Sequence, residues 1–461
     1  MERVRWTAPG IVALAVTLCC CPSAFAADTY VDRSDGNDQS GGNDCHSKQK
    51  PCQSLLTAIA TAGPGDTVFV GGDPQAYTTV DTLTNGKSLV GDDFSTKHSV
   101  DTSGKAILDA GAAVQPTLKV TGVAGTVKNL TIRSQTTPLS IQGTVTVTKN
   151  RFDEAAQIDQ DVVVGASSGT TVKIKDNKFT DPTPLAGAGH DQTALHLAGA
   201  AKRVVSKNTF RNFQEGINVD TGGGAVTISK NDISGIHSAE SIGLGVFVLG
   251  AANPKIVGNR LHAQMGNGIV NGIQVLSDAT ITRNRILDLY IGVQLKNTPG
   301  AVDLDGDAIR TIDNGIGLFS VDDGGNQAHV GDANVTGTTI AGDGDQVTLE
   351  QTHLKMDSSV LAATSSGFVM SLSSATCDIT FSRGGSTGPA ADGCTFQTKK
   401  DPKFKPDGLH LKASSPMIDE GNTAKPPKGE KDIDGDKRAL DGTGNCKGKK
   451  RRDIGADEFK C

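Results

Sequence analysis

Of the 461 residues, 56 are Gly, about 12% against a usual ~7%, while Phe, Tyr and Trp together make only 4%. Gly and Pro together stay below the ~25–30% that marks low complexity, and Gly shows no three-residue period, so collagen and wholesale disorder are excluded. The formal net charge of −6 argues against a general nucleic-acid binder, and nothing after the N-terminus approaches ~18 consecutive apolar residues, so no membrane span is expected.

Taken in chain order, residues 1–26 read as a secretory signal. Arg3 and Arg5 precede an apolar run over 11–18, and Ala24-Phe25-Ala26 supplies a small-residue cleavage site. Cleavage there leaves 43 basic against 50 acidic residues once Arg3, Arg5 and Glu2 are gone. A lipid anchor at Cys19, Cys20 or Cys21 is disfavoured, because bulky Leu18 stands where a small residue should precede the modified Cys. Six cysteines remain, Cys45, Cys52, Cys377, Cys394, Cys446 and Cys461. Neighbour pairing gives three local disulfides in an oxidising compartment, one choice among 15 connectivities. Residues 27–54 thus form an N-terminal disulfide segment. Ser54 is placed to cap a helix over 55–62, with Leu55, Ile59 and Ala62 on one face, and Gly63-Pro64-Gly65-Asp66 leads into a first strand at 67–70.

The repeat follows. An Asn recurs after a short β-branched run, with an apolar residue two positions later: Asn150 and Phe152, Asn177 and Phe179, Asn208 and Phe210, Asn231 and Ile233, Asn259 and Leu261, Asn284 and Ile286, with Asn129 as a weaker opening copy. Between these lie strands of a small residue, an apolar, a variable and an apolar residue: Ala194-Leu-His196-Leu, Gly216-Ile-Asn218-Val, Gly245-Val-Phe247-Val, Gly272-Ile-Gln274-Val, Gly292-Val-Gln294-Leu and Gly315-Ile-Gly317-Leu. Both elements alternate with period two, as half-buried strands do. Short strands closed by Asn in a left-handed corner, at a period of twenty-odd residues, describe a coil of stacked parallel strands. Stacking at ~4.8 Å sets like above like, so aliphatic columns fill a narrow interior and Asn side chains bond from coil to coil. A narrow interior explains the shortage of aromatic rings, and positive-φ turns explain part of the Gly excess. A β-sandwich with Asn-rich turns is the competing fold.

The Asn ladder and the Gly-Ile-x-Val strands resemble a right-handed parallel β-helix of the pectin-lyase-like superfamily, over roughly 55–375. The resemblance implies that the helix at 55–62 closes the N-terminal end of the coil, whose strands present unpaired edges. The β-helix is expected over 55–398 and a C-terminal cap over 399–461. Within that tail, Asp401-Pro402, Ser415-Pro416, Asp432-Ile-Asp434-Gly435 with Arg438, and Asp453-Ile-Gly455-Ala-Asp457-Glu458-Phe459 resemble the C-terminal region of bacterial secreted or surface β-helix proteins of the "choice-of-anchor" kind. The tail is read as an irregular cap held by Cys446 and Cys461 that shields the C-terminal edge, against a disordered tail; the basic run at 447–452 reads as a solvated loop.

Known reactions on this fold act mostly on acidic polysaccharides, so the resemblance implies a polysaccharide or cell-envelope glycan as partner. Ca²⁺ is the cofactor that it would bring, and the motifs of the lyases and hydrolases of this fold are absent: there is no Arg-Ile-Lys, Gly-His-Gly or Asn-Thr-Asp. No catalytic residue is identified. The candidate binding face is the outward column of the Gly strands, His196, Asn218, Gln274 and Gln294 with Phe247 and Gly317, joined by Asp220 and Lys296 two positions on. Asp303-Leu-Asp305-Gly306-Asp307 lacks the Gly and Glu positions of a Ca²⁺ loop and reads as a surface turn, and Asp432-Ile-Asp434-Gly435-Asp436 reads as a salt-bridged turn. Asp322-Asp323-Gly324 reads as a loop; His190-Asp191 would make an acid–base dyad but has no visible nucleophile. The expectation is a secreted or envelope-associated, monomeric β-helix protein that engages polysaccharide. A non-enzymatic, adhesin-like surface protein and an active lyase or glycoside hydrolase are the alternatives.

Overall fold

The computed structural model describes residues 27–459 apart from short breaks and longer ones at 93–104, 182–192, 322–330, 364–369, 383–393, 423–430 and 439–451. Residues 1–26, the loop at 322–326, His190-Asp191, most of the basic run and the Cys446 and Cys461 pair therefore lie outside the described residues. The alternating patterns become strands that wind as a right-handed coil, every strand pairing in parallel with its counterpart in the next turn. The N-terminal helix is Leu55–Thr61, and Ser54 Oγ accepts from Thr57 N at 3.1 Å. Leu55, Ala58 and Ile59 are buried on the face that covers the first strands. The Cys45–Cys52 and Cys377–Cys394 disulfides form, with Cα atoms 5.0 and 5.7 Å apart. No helix among the described residues is long and apolar enough to cross a membrane.

Two details of the repeat differ from the sequence reading. The left-handed corner belongs to the residue before each Asn: Lys149, Asp176, Lys207, Lys230 and Arg283 have φ of 54–58°. Asn129, at φ 58°, is one of these corner residues, and Leu130 fills the ladder position, its N donating to Asn150 Oδ1. The Asn side chain instead turns inward. The Gly strands owe little to positive φ. A Cβ at Gly216, Gly245, Gly272, Gly292 or Gly317 would lie 2.0–2.8 Å from Ile233, Leu261, Ile286, Ile309 or Ile340, so Gly makes room for the branched residue two after each ladder position.

The interior is not closed to rings. Phe152, Phe179 and Phe210 are fully buried and stack from coil to coil with centroids 4.7 and 4.6 Å apart. Stacking in register lets a ring occupy a column that would not hold a lone one. Another interior position is filled by Arg203, between Val172 and Val226. Its Nη1 and Nη2 donate to the Leu197 and Gly224 carbonyls at 2.8 and 3.1 Å.

The Asn ladder runs unbroken from Asn150 to Asn284 and then changes chemistry. Each Asn donates its backbone N and Nδ2 to Oδ1 of the next, and Nδ2 also donates to a carbonyl of the preceding coil. Asp307 ends the series: its Oδ1 accepts from Asn284 N and Nδ2 at 2.7 and 2.9 Å, and hydroxyls of Thr338, Ser359 and Ser382 continue the column. Asp303, Asp305 and Asp307 therefore make neither a Ca²⁺ loop nor a surface turn. Asp303 and Asp305 lie on Ala301–Asp305, Gly306 is the corner, and Asp307 is fully buried. Asp307 Oδ2 has no hydrogen-bond partner among the described residues, whereas Nδ2 of the preceding Asn284 donates to a carbonyl. A proton on Oδ2 would supply the donor that an Asn carries there.

Burial holds the Asp307 carboxyl well above the usual aspartate range, against the pull of the Asn284 donors. Burial likewise raises Asp457 and pushes Asp453 up to about 7. A carboxyl raised in the folded state contributes stability that is complete below ~3.9 and is lost as pH climbs through the folded value. The melting temperature is therefore expected to fall between pH 5 and pH 8. Asp307→Asn, which supplies the missing donor permanently, is expected to flatten that decline and to add about 1–3 kcal/mol at pH 8; calorimetry at the two pH values measures both.

The described part of the tail is irregular. It lies along the flank of the last coils. Leu411, Met417 and Ile454 pack on Ala341, Val360 and Ala362, while Leu409 and Ala456 pack on Ala308. The loop at 432–436 is the expected structural turn: Asp432 is fully buried and its carboxylate accepts from the Asp434, Asp436 and Glu458 amides. Arg438 pairs with Glu458 at 3.4 Å and reaches the Gly337 carbonyl at 2.7 Å.

Candidate functional site

Because each ladder Asn points inward, the residues on either side of it point out. The corner column reads Lys149, Asp176, Lys207, Lys230, Gly258, Arg283 along the coil, and the column after the ladder reads Arg151, Lys178, Thr209, Asp232, Arg260, Arg285. Lys149, Lys207, Lys230 and Arg260 are exposed. A chain of net negative charge thus carries a cationic edge whose members repeat once per coil. Sequence reading missed it, although the signal was in the strings: a basic residue adjoins Asn150, Asn208, Asn231, Asn259 and Asn284 on at least one side. It is legible only once the Asn is known to face inward.

At its C-terminal end this edge meets the tail and becomes a pocket of about 230 Å³. Lys230, Gly258, Asn259, Arg260, Arg283 and Arg285 form one wall and residues 432–435 the other. Lys230, Arg260 and Arg283 make no ion pair among the described residues, whereas Arg285 is bonded to Asp434. Asp432 spends its carboxylate on backbone amides, so the pocket retains excess positive charge. This geometry suits a carboxylate- or sulfate-bearing ligand.

Behind Asp434 lies a polar junction. His410 Nδ1 is bonded to the Asp407 carboxylate and Nε2 lies 3.0 Å from Asp434 Oδ2. Against the opposing effect of burial, the hydrogen bond to Asp407 and the nearby Asp457 and Asp434 charges raise His410; the amides of Leu409 and His410 overcome burial to lower Asp407. Arg310 takes Asp288 with two bonds of 2.8 Å, and Asp288 also lies 3.0 Å from His262 Nε2.

The column expected from the sequence is in place but not open. His196, Asn218, Phe247, Gln274 and Gln294 are register partners on successive coils. The next member is Phe319, because Gly317 sits opposite Gly292, two positions earlier than the sequence pattern placed it. His196 Nε2 lies 3.7 Å from Asp220 Oδ2, and Asn218 Nδ2 donates to Glu215 at 2.8 Å. Gln274, Gln294 and Lys296 are only 8%, 3% and 7% exposed, and Asn271 Nδ2 donates to Gln294 Oε1 at 2.7 Å. The middle of this face is closed. Asp220 and Lys296 lie three coils apart along the same face.

Residues 161–335 match the family described as "Right handed beta helix region". The chain contains a right-handed β-helix region. A solved structure named "Rhamnogalacturonan lyase" is similar at 12% identity with a TM-score of 0.31, covering 84% of this chain and 95% of that one. No curated protein matches the chain.

Proposed function

We propose that this is a secreted β-helix protein that binds an acidic polysaccharide along its cationic corner edge. The observation that carries the reading is the repetition of outward Lys and Arg beside the buried Asn ladder, ending in the pocket of Lys230, Arg260 and Arg283. Strands stacked at ~4.8 Å offer a polymer one cation after another along the coil axis, so affinity accumulates from individually weak, salt-sensitive contacts. Secretion is supported by the signal-like 1–26 segment and by two disulfides, which persist in oxidising compartments. Catalysis forms no part of the reading.

The test is titration of the mature chain with polygalacturonate, neutral dextran and duplex DNA at two salt concentrations. Polygalacturonate is expected to bind and to weaken with salt, and dextran and DNA are expected to bind less. The triple variant Lys230→Ala, Arg260→Ala, Arg283→Ala is expected to lose at least about ten-fold, in line with roughly half a kcal/mol or more per exposed charge. Equal binding by wild type and variant, or preference for dextran, would defeat the proposal. Absorbance at ~235 nm followed in the same samples reports any unsaturated product of an elimination reaction.

A further inference from the structure

We propose that His410, Asp434 and Asp457 form a binding site for a divalent first-row transition ion, with Zn²⁺ as the probe. One donor atom from each residue can be chosen so that all lie within 4.8 Å of one another. The three come from separate stretches of the tail and meet only because the loop at 432–436 and the segment at 453–458 fold back beside His410. Ligands ~2.1 Å from one ion are themselves about 3–3.5 Å apart, so binding draws the three donors together by about an ångström or more. His410 Nε2 and Asp434 Oδ2 already stand at 3.0 Å.

Each ligand is held by a second group, as metal ligands generally are. Asp407 takes His410 Nδ1, which leaves Nε2 as the outward-facing nitrogen. Arg285 holds the other oxygen of Asp434, and the Leu411 amide donates to Asp457 Oδ2 at 2.9 Å. Asp407, Asp434 and Asp457 lie near one imidazole, and of the three only Asp434 has an arginine partner among the described residues. One nitrogen with two carboxylates suits Zn²⁺ or its first-row neighbours better than Ca²⁺, which takes six to eight oxygens. The side chains of His410 and Asp434 are 18% and 38% exposed, which leaves room for water as a further ligand. Asp434 also borders the cationic pocket, but this inference does not rest on the glycan reading.

The experiment uses the mature chain, purified without a polyhistidine tag and stripped with a chelator. Calorimetric titration with Zn²⁺ is expected to show one site. His410→Gln and Asp457→Asn are expected to abolish it, Asp407→Asn to weaken it about 10–100-fold, and His353→Gln to leave it unchanged, although His353 also lies between two aspartates. Circular dichroism checks that each variant is folded. If a variant fails to fold, X-ray absorption of the zinc-loaded wild type decides: a shell of oxygens with one imidazole supports the site. A shell without imidazole, no uptake by the wild type, or uptake retained in folded His410→Gln overturns it.

Discussion

Asn231→Ala is expected to cost about 3–5 kcal/mol of unfolding free energy, a large effect for one side chain. Asn231 Oδ1 accepts from Asn208 N and Nδ2 at 2.9 and 3.0 Å, and its Nδ2 donates to the Val205 carbonyl and to Asn259 Oδ1 at 3.1 and 2.9 Å. Alanine removes all four bonds and strands the Asn208 donors and the Val205 acceptor, with Asn208 and Asn231 each only 1% exposed. Each buried group left unsatisfied costs about 1–3 kcal/mol. The neighbouring Lys230→Gly is the control: at φ 56° glycine fits the backbone freely, and its loss of side chain touches only the surface. Urea unfolding of the two variants and the wild type gives the comparison. A loss below about 1 kcal/mol for Asn231→Ala would mean that the ladder is not a principal support of the coil.

Arg438→Ala is expected to release the tail while leaving the coil wound. The Arg438 and Glu458 side chains are 1% and 0% exposed, and Arg438 also donates to the Gly455 and Gly337 carbonyls at 2.6 and 2.7 Å. Removing one member of such a buried pair takes its opposite charge from the other, a loss of about 3–5 kcal/mol, whereas replacing both partners by uncharged groups of similar size is much milder. The double variant Arg438→Met, Glu458→Gln should therefore recover most of the loss. Limited proteolysis is the readout: Arg438→Ala should be cut rapidly after residue 399 while its strand signal in circular dichroism persists. An unchanged cleavage pattern would show that the apolar contacts of Leu411, Met417 and Ile454 hold the tail by themselves.

Much of this architecture is written in the local pattern. Period-two strands, Asn150 through Asn284, the Ser54 cap and the Cys45–Cys52 and Cys377–Cys394 couples are all local signals, and each reappears in the coordinates. What failed depended on register or on distant contacts. Lys149 and Lys230 give no hint of a left-handed backbone, because propensity assigns that conformation to Gly and Asn. Gly317 was misplaced because Gly315-Ile316-Gly317-Leu318 offers two equivalent frames, and only pairing with Gly292 selects one. The burial of Gln274 and Gln294 depends on how the chain folds around the strands, which alternation does not encode. The flank contacts of the tail were not legible, because Arg438 finds Gly337 at a separation of 101 residues, beyond the reach of any spacing argument.

The sideways grip of the tail also ties it to the register of the coil. Each turn contacts only the turn before it and the turn after it, so a register error in one turn displaces the surface that its neighbours present. Arg438, Gly455 and Asn422 take their partners at Gly337 and Ser358, which exist as surfaces only when those turns have wound. A turn misregistered near residue 337 therefore leaves Arg438, Gly455 and Asn422 without those partners, and the described tail is then expected to open to proteases.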